Sequence, residues 1–320
     1  MGRMVDGAWE REDRDRADPK GAFVRPDTRF RDRIEPGGRF PPEAGRYHLY
    51  VALACPWAHR TLIFRVLKRL QPLVGLSVVH WLMGEDGWTF TPADGVVADP
   101  VMGARCLHEL YTRADPRFSG RVTVPVLWDR ATDRIVNNES AEIIRIFNSA
   151  FDALGAAPGD YYPPGLRAEI EAVNARVYAT LNNGVYRAGF ARTQDAYEAA
   201  VRPLFETLDW LEERLARQPY LCGDRPTEAD WRLFTTLIRF DAVYHGHFKC
   251  NLRRLIDYPA LWDFTRSLYQ AEGVAATVDF THIKRHYYMS HPWVNPTRIV
   301  PLGPLLDLTA PGSRVPRLVG

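Results

Sequence analysis

Apolar positions first gather at Tyr47 to Leu53 (YHLYVAL), an aromatic and β-branched run of strand character. Directly after it, Leu62, Ile63, Val66, Leu67 and Leu70 recur at helical spacing and predict a helix over residues 57–70. Leu76 to His80 (LSVVH) predicts a second strand. Residues 83–119 break the pattern, with Gly84, Gly87, Pro92, Gly95 and Pro100 as loop punctuation, so a long insertion is expected there. Val122 to Asp129 (VTVPVLWD) and Ile135–Val136 predict two further strands, and Asn138-Glu139-Ser140 opens a helix through Ile143, Ile144 and Phe147.

Beyond residues 150–165 (AFDALGAAPGDYYPPG), which read as a linker, the period is helical throughout. Leu166, Ile170, Val173, Val177 and Leu181 form one apolar stripe, and Val201, Leu204, Leu208, Leu211 and Leu215 another. Thr227-Glu228-Ala229-Asp230 has the form of a capping box with Asp in the third helical position, and Leu261, Phe264 and Leu268 continue the bundle. Ahead of everything, residues 1–46 are rich in Arg, Asp, Glu, Pro and Gly. WEREDRDRAD mixes both charge signs as a solvated arm does, and Phe23, Phe30, Ile34 and Phe40 could pin the arm to a folded body. The expected organisation is an extension (1–46), an α/β domain (47–149) of thioredoxin-like order, the linker, and an all-α domain with a C-terminal extension (166–320). That two-domain plan resembles the glutathione transferase fold.

The chemistry lies at the first strand-to-helix junction, Ala52-Leu53-Ala54-Cys55-Pro56-Trp57-Ala58-His59-Arg60. Pro56 suits a first-turn position, where its missing N–H costs nothing. A thiol at Cys55 then faces the unpaired N–H groups and positive end of a helix, which favour thiolate. Ala58 stands where a dithiol oxidoreductase carries its second cysteine, so a mixed disulfide on Cys55 needs an external thiol for release, glutathione being the obvious one. The bland alternative is a buried, inert cysteine. Pro125, at a strand start, reads either as a cis proline opposite the cysteine or as an ordinary edge-strand proline.

Composition narrows the classes. With 46% hydrophobic and 25% charged residues and a net charge of +2, the chain is ordinary for a soluble globular protein and carries no field that would recruit nucleic acid or an acidic membrane. Four scattered cysteines (Cys55, Cys106, Cys222, Cys250) suggest no disulfide framework, and no run has signal-peptide or membrane-spanning character, so a cytoplasmic location is expected.

At finer grain ACPWAHRTLIFR, GWTF (87–90), VTVPVLWD, NNES, NNGVYRAGFA, TEADWRLFTTLIRFDAVYHGHFKCN and IKRHYYMSH together resemble the glutathionyl-hydroquinone reductases, or Xi-class glutathione transferases, over nearly the whole chain. The resemblance implies glutathione as co-substrate, a Cys55 nucleophile, a glutathione contact from Trp88, and a quinol pocket lined by Tyr186, Tyr244 and Tyr287, with Tyr186 and Tyr287 assisting the chemistry. From the residues themselves, the helix start at Glu139-Ser140 suits the γ-glutamyl carboxylate and ammonium of glutathione, or Ser140 is a plain helix cap. The Val124 backbone suits the glutathione peptide, and Arg121 is either a carboxylate partner or a solvated surface arginine. A glutathionyl-hydroquinone as substrate and a homodimeric assembly follow from the same likeness. Three other readings stay open: an omega-like thiol transferase or dehydroascorbate-type reductase, a non-catalytic binding module, and a metal site drawing on His245, His247, Cys250, His282 and His286, for which the spacing matches no known finger.

Overall fold

The computed structural model describes residues 2–11 and 17–314; residues 12–16 of the charged arm and 315–320 of the C-terminal extension lie outside the described residues. The chain forms two compact units. The first comprises Met1–Arg14, Asp27–Pro158 and Thr277–His286, the second Asp15–Pro26, Gly159–Ala276 and Tyr287–Gly320.

The first unit opens with a hairpin, β1 (Arg3–Val5) and β2 (Ala8–Glu10). Met4, fully buried, exchanges backbone bonds of 2.8 and 3.0 Å with Gly120, so this stretch of the extension is part of the unit. Ile34 and Phe40 are buried as pins, and the half-buried Phe30 ring packs on Tyr111 and Phe118. A four-stranded sheet follows, ordered β4-β3-β5-β6, with β3 (Tyr47–Val51) parallel to β4 (Val74–Val78) and antiparallel to β5 (Val126–Asp129), which pairs antiparallel with β6 (Arg134–Asn137). Every residue of β3 is buried, which is why it reads as an unbroken apolar run and not as alternation. Arg46, at the foot of β3, forks onto the Asp129 carboxylate at 2.7 and 2.8 Å and ties β3 to the end of β5. Helices α1 (Pro56–Leu67) and α3 (Ser140–Ser149) pack on each other.

Two expectations need correction. Residues 83–119 are not all loop: Leu107–Ala114 is a helix, α2, with Leu107, Leu110, Tyr111 and Ala114 buried at the i, i+3, i+4, i+7 spacing. Within the rest of that insertion the buried Asp99 carboxylate fixes residues 101–104, accepting from the Tyr50 hydroxyl at 2.7 Å and from the N–H groups of Val101, Met102 and Ala104. The strand expected from Val122 begins only at Val126, since Pro125 has no N–H for the ladder and the Thr123 carbonyl is taken by the Tyr111 hydroxyl.

The second unit is helical: α4 (Arg167–Val177), α5 (Gly184–Gly189), α6 (Gln194–Arg217), α7 (Glu228–Arg239) and α8 (Pro259–Tyr269). The two predicted stripes are buried apart from the half-buried Leu166. The capping box forms, with Asp230 accepting from the Thr227 N–H and hydroxyl at 2.7 and 2.9 Å and from the Leu221 N–H at 2.8 Å. Complete burial pushes that carboxyl up to about 6 against the pull of these bonds. Helix α9 (Phe280–Ser290) is shared, its residues to His286 counted with the first unit and those from Tyr287 with the second. Among the described residues no helix is long and apolar enough to cross a membrane.

Candidate active site

Cys55 is the N-cap of α1, in extended conformation, with Pro56 at the first helical position as the sequence predicts. Its backbone is fixed on both sides: the N–H donates to Ala52 O at 3.0 Å, and the carbonyl accepts from the His59 N–H at 2.9 Å. Cys55 is half-buried, and its Sγ lies within hydrogen-bonding distance of the Val124 carbonyl, at 3.7 Å. The Val124–Pro125 peptide is cis. His59 and Arg60 are buried, His59 Nε2 bonded to Thr277 Oγ1 at 2.8 Å and Arg60 lying over the Trp57 ring. Ala58, in place of a second thiol, is fully buried.

The sheet register brings the candidates Val124, Glu139 and Ser140 to the same end of the strands as Cys55. Tyr50, near the end of β3, pairs with Val126, the first residue of β5, and Asn137, the last of β6, pairs with Leu127. The α1 start, the Val124–Pro125 bond and the α3 start therefore emerge at one end of the sheet's strands. At α3 the cap is Glu139, whose carboxylate accepts from the Ala141 N–H at 3.1 Å and from the Thr28 hydroxyl at 3.3 Å. A plain serine cap is thus ruled out. Ser140 occupies the first helical turn, and its hydroxyl is buried with no hydrogen-bond partner among the described residues. A buried hydroxyl left so costs about 1–3 kcal/mol, and its position at a helix N-terminus suits an anion. Trp88 is buried and stacked on His286 at 4.9 Å, and its carbonyl accepts from the Leu107 N–H. Arg121 is half-buried in the loop ahead of Pro125. Neither Thr28, on Glu139, nor His286, on Trp88, is among the sequence's glutathione candidates; both come from segments distant in the chain.

The tyrosines meet in the second unit. The hydroxyls of Tyr186 (α5) and Tyr287 (α9) share a hydrogen bond of 2.5 Å, and that of Tyr244 lies 3.2 Å from Tyr287. Tyr244 ends a π-helical turn, Phe240–Tyr244, that follows α7. Phe190 and Phe248 wall the cluster, and Phe248 can approach because residue 189 is glycine: a Cβ there would stand 2.1 Å from the ring. Burial, with Tyr186 and Tyr244 beside it, pushes Tyr287 well above the ordinary tyrosine range, while the buried Arg239 pulls the other way. Tyr244 and Tyr287 are almost wholly enclosed, at 0% and 1%, and Tyr186 keeps 9% of its surface, so Tyr186 is the member best able to meet a ligand. Sequence reasoning missed Arg25, whose guanidinium lies 5.1 Å from the Tyr186 ring centroid and whose Nε donates to Asn183 Oδ1 at 2.9 Å.

Three of the four histidines weighed for a metal, and the thiol, have other partners; for the His245 ring no hydrogen bond is seen among the described residues. His282 Nε2 is 2.6 Å from Asp94 O, His286 Nδ1 is 2.9 Å from Trp81 O, His247 Nε2 is 3.2 Å from His291 Nδ1, and Cys250 is deeply buried with its thiol pushed up by desolvation. No group of three or more potential ligands is found among the described residues.

Against known proteins, the glutathione S-transferase N-terminal domain matches residues 54–150 and the C-terminal domain residues 194–267. The glutathionyl-hydroquinone reductase PcpF of Sphingobium chlorophenolicum is 58% identical, covering 96% of this chain and 98% of that protein. The glutathione-bound structure of YqjG, a glutathione transferase homolog from Escherichia coli K-12, superposes with a TM-score of 0.90 at 50% identity, covering 98% and 99% of the two chains. The glutathione S-transferase Xi from Phanerochaete chrysosporium gives 0.88 at 52% identity over 90% and 95%. A thioredoxin-like unit with a lone cysteine at its first helix, an all-helical unit, and relatives this close along the whole chain leave one conclusion: the chain belongs to the glutathione transferase family, among its Xi-class glutathionyl-hydroquinone reductases.

Proposed function

We propose that this chain reduces glutathionyl-hydroquinones to hydroquinones at the expense of glutathione. The observation that carries the reading is Cys55 itself, a half-buried thiol at a helix N-terminus with alanine where a resolving cysteine would stand. Cys55 thiolate attacks the glutathione sulfur of the conjugate, and the carbon–sulfur bond breaks with its electron pair left on the ring carbon. That carbon takes a proton and departs as hydroquinone, leaving a Cys55–glutathione mixed disulfide. A second glutathione thiolate resolves it to oxidised glutathione and restores the Cys55 thiolate. Tyr186 and Tyr287 act as a pair on the quinol and supply the proton, Tyr186 as the member that meets it and Tyr287 through their shared hydrogen bond, with Tyr244 supporting them. The test is steady-state turnover of a glutathionyl-benzohydroquinone with excess glutathione; no reaction would overturn the proposal. Turnover of hydroxyethyl disulfide alone would favour the thiol-transferase reading, and no thiol-dependent turnover of either substrate a binding module.

In this reading the glutathione γ-glutamyl carboxylate is received at the α3 start by Ser140, its ammonium by Glu139, its peptide by the Val124 backbone, and its remaining groups by Trp88 and Arg121. The unpartnered Ser140 hydroxyl supports the first assignment. Ser140→Ala is therefore expected to raise the glutathione KM about tenfold or more, the worth of a hydrogen bond to a charged group, while leaving the melting temperature equal or higher. A lower melting temperature with an unchanged KM would assign the hydroxyl a structural role.

Reduced glutathione and four free cysteines fit a reducing compartment, and a cytoplasmic location follows from the proposal. We also propose a homodimer, with much of the interface from the helical unit. Ile299, Leu302 and Leu305 of the C-terminal extension are exposed at 70%, 95% and 95%, apolar surface that self-association would cover. Light scattering at micromolar concentration should give twice the chain mass; a monomer mass contradicts it.

A further inference from the structure

Residues 17–26 of the N-terminal extension are fastened to the junction of α5 and α6. Ala17 bridges Phe23, and the Asp18 carboxylate takes the N–H groups of Lys20 and Ala22 at 2.9 Å each. The Gly21 carbonyl accepts from the Arg192 N–H at 3.0 Å, and the Lys20 carbonyl from the Thr193 hydroxyl at 3.0 Å. Gly21 has φ +84, and a Cβ there would stand 2.9 Å from Thr193 Cγ2, so glycine is needed for the turn to lie this close. Phe23 meets Phe190 edge-on at 5.4 Å. The consequence of all this anchoring is the place of Arg25, over the Tyr186 ring and bonded to Asn183.

We propose that Arg25 is a positioning residue for Tyr186, its guanidinium on the ring face making Tyr186 the hydroxyl of the cluster that gives its proton to the departing quinol ring. The inference deepens the hydroquinone-reductase reading and rests on it. A cation over an aromatic face within about 6 Å is attracted to the ring and more strongly to the phenolate than to the phenol. The groups around Tyr186 agree on this division of labour. Tyr287 is held neutral by burial, so its O–H can donate to the Tyr186 oxygen across 2.5 Å as that oxygen becomes anionic. Tyr244 bonds Tyr287, Arg239 acts on Tyr287, His247 and His291 pack on the Tyr287 ring at 6.4 and 5.7 Å, and Arg187 follows Tyr186 in α5. Arg25 lies over the Tyr186 ring itself. In the step, the Tyr186 proton goes to the ring carbon that keeps the carbon–sulfur electron pair. The phenolate is reprotonated by the second glutathione as its thiol ionises to attack the mixed disulfide. One carbon–sulfur bond becomes a carbon–hydrogen bond, and two sulfurs are oxidised to a disulfide.

The test compares wild type with Arg25→Met and Arg25→Lys in full-length protein. Turnover of glutathionyl-benzohydroquinone is followed across pH beside turnover of hydroxyethyl disulfide, whose thiolate leaving group needs no carbon protonation. Tyrosinate is titrated by ultraviolet absorbance, with Tyr186→Phe identifying the Tyr186 contribution. Arg25→Met should lower the ratio of quinol-conjugate kcat to disulfide kcat about tenfold. Because Tyr186 must be protonated to act, the alkaline limb of conjugate turnover and the Tyr186 tyrosinate signal should both move to higher pH when the cation is lost. Arg25→Lys should restore part of each. An equal fall in both reactions that tracks a lower melting temperature, or a tyrosinate signal that stays in place, overturns the proposal. Wild type that turns over the disulfide but not the conjugate overturns the reductase reading and the proton-transfer role with it; the tyrosinate titration then still reports whether Arg25 acts on Tyr186.

Discussion

Cys55→Ser is expected to lower turnover of a glutathionyl-hydroquinone by several orders of magnitude. The substitution keeps the size of the side chain at the α1 N-cap, where serine is itself a favoured residue, so the fold should be retained or slightly stabilised. What is lost is the nucleophile. A serine hydroxyl is barely ionised at neutral pH even at a helix start, and an oxygen-linked glutathione could not be released by thiol exchange. Cys55→Ala should be equally inactive. Cys106→Ala, Cys222→Ala and Cys250→Ala should retain turnover in the folded protein, because Ala58 leaves no local dithiol to break. Burial also holds these thiols up: Cys106 is raised, Cys222 is pushed up to about 12, and Cys250 is raised further. Near-normal activity in Cys55→Ser would end the mechanism; loss of activity in Cys222→Ala without loss of fold would relocate it.

The second large effect concerns the tyrosine cluster. Tyr186→Phe combined with Tyr287→Phe removes both members of the 2.5 Å hydroxyl pair while keeping the rings. Positioned proton transfer is worth about 10²–10⁴ in rate, so kcat for the conjugate should fall by roughly that factor. Reduction of hydroxyethyl disulfide, whose leaving group is a thiolate, should fall far less. Each single variant should lose most of the effect, since the two hydroxyls act as one unit and their contributions are not additive. Equal losses on both substrates would make the cluster a structural element only.

Much of this was legible in the residue order. YHLYVAL followed by a helical period, with Cys-Pro at the junction, specifies the strand, the helix start and the thiol address from local propensity alone. The apolar stripes of α6 and the Thr227–Asp230 cap are likewise local signals. What escaped was set by distant contacts. The α2 helix carries a helical period, but only over eight residues amid Gly and Pro punctuation, and its stability comes from burial of Leu107, Leu110 and Tyr111. Residues 1–46 look like one solvated arm because charges dominate, yet Met4 seats a hairpin in one unit and Phe23 and Arg25 belong to the other. Nothing in the local sequence of Arg25 predicts that its guanidinium lies over Tyr186, more than 150 residues along the chain, as the Arg25–Asn183 bond with its separation of 158 makes plain.

The central claim is that glutathione passes through a covalent bond to Cys55. The measurement that meets it most directly is peptide mass analysis of protein mixed with a glutathionyl-benzohydroquinone in the absence of free glutathione. One glutathione mass should appear on the peptide containing Cys55, with one equivalent of hydroquinone released, and should vanish when glutathione is added. Glutathione found on Cys222 or Cys250 instead, or hydroquinone released with no adduct at Cys55, would contradict the account.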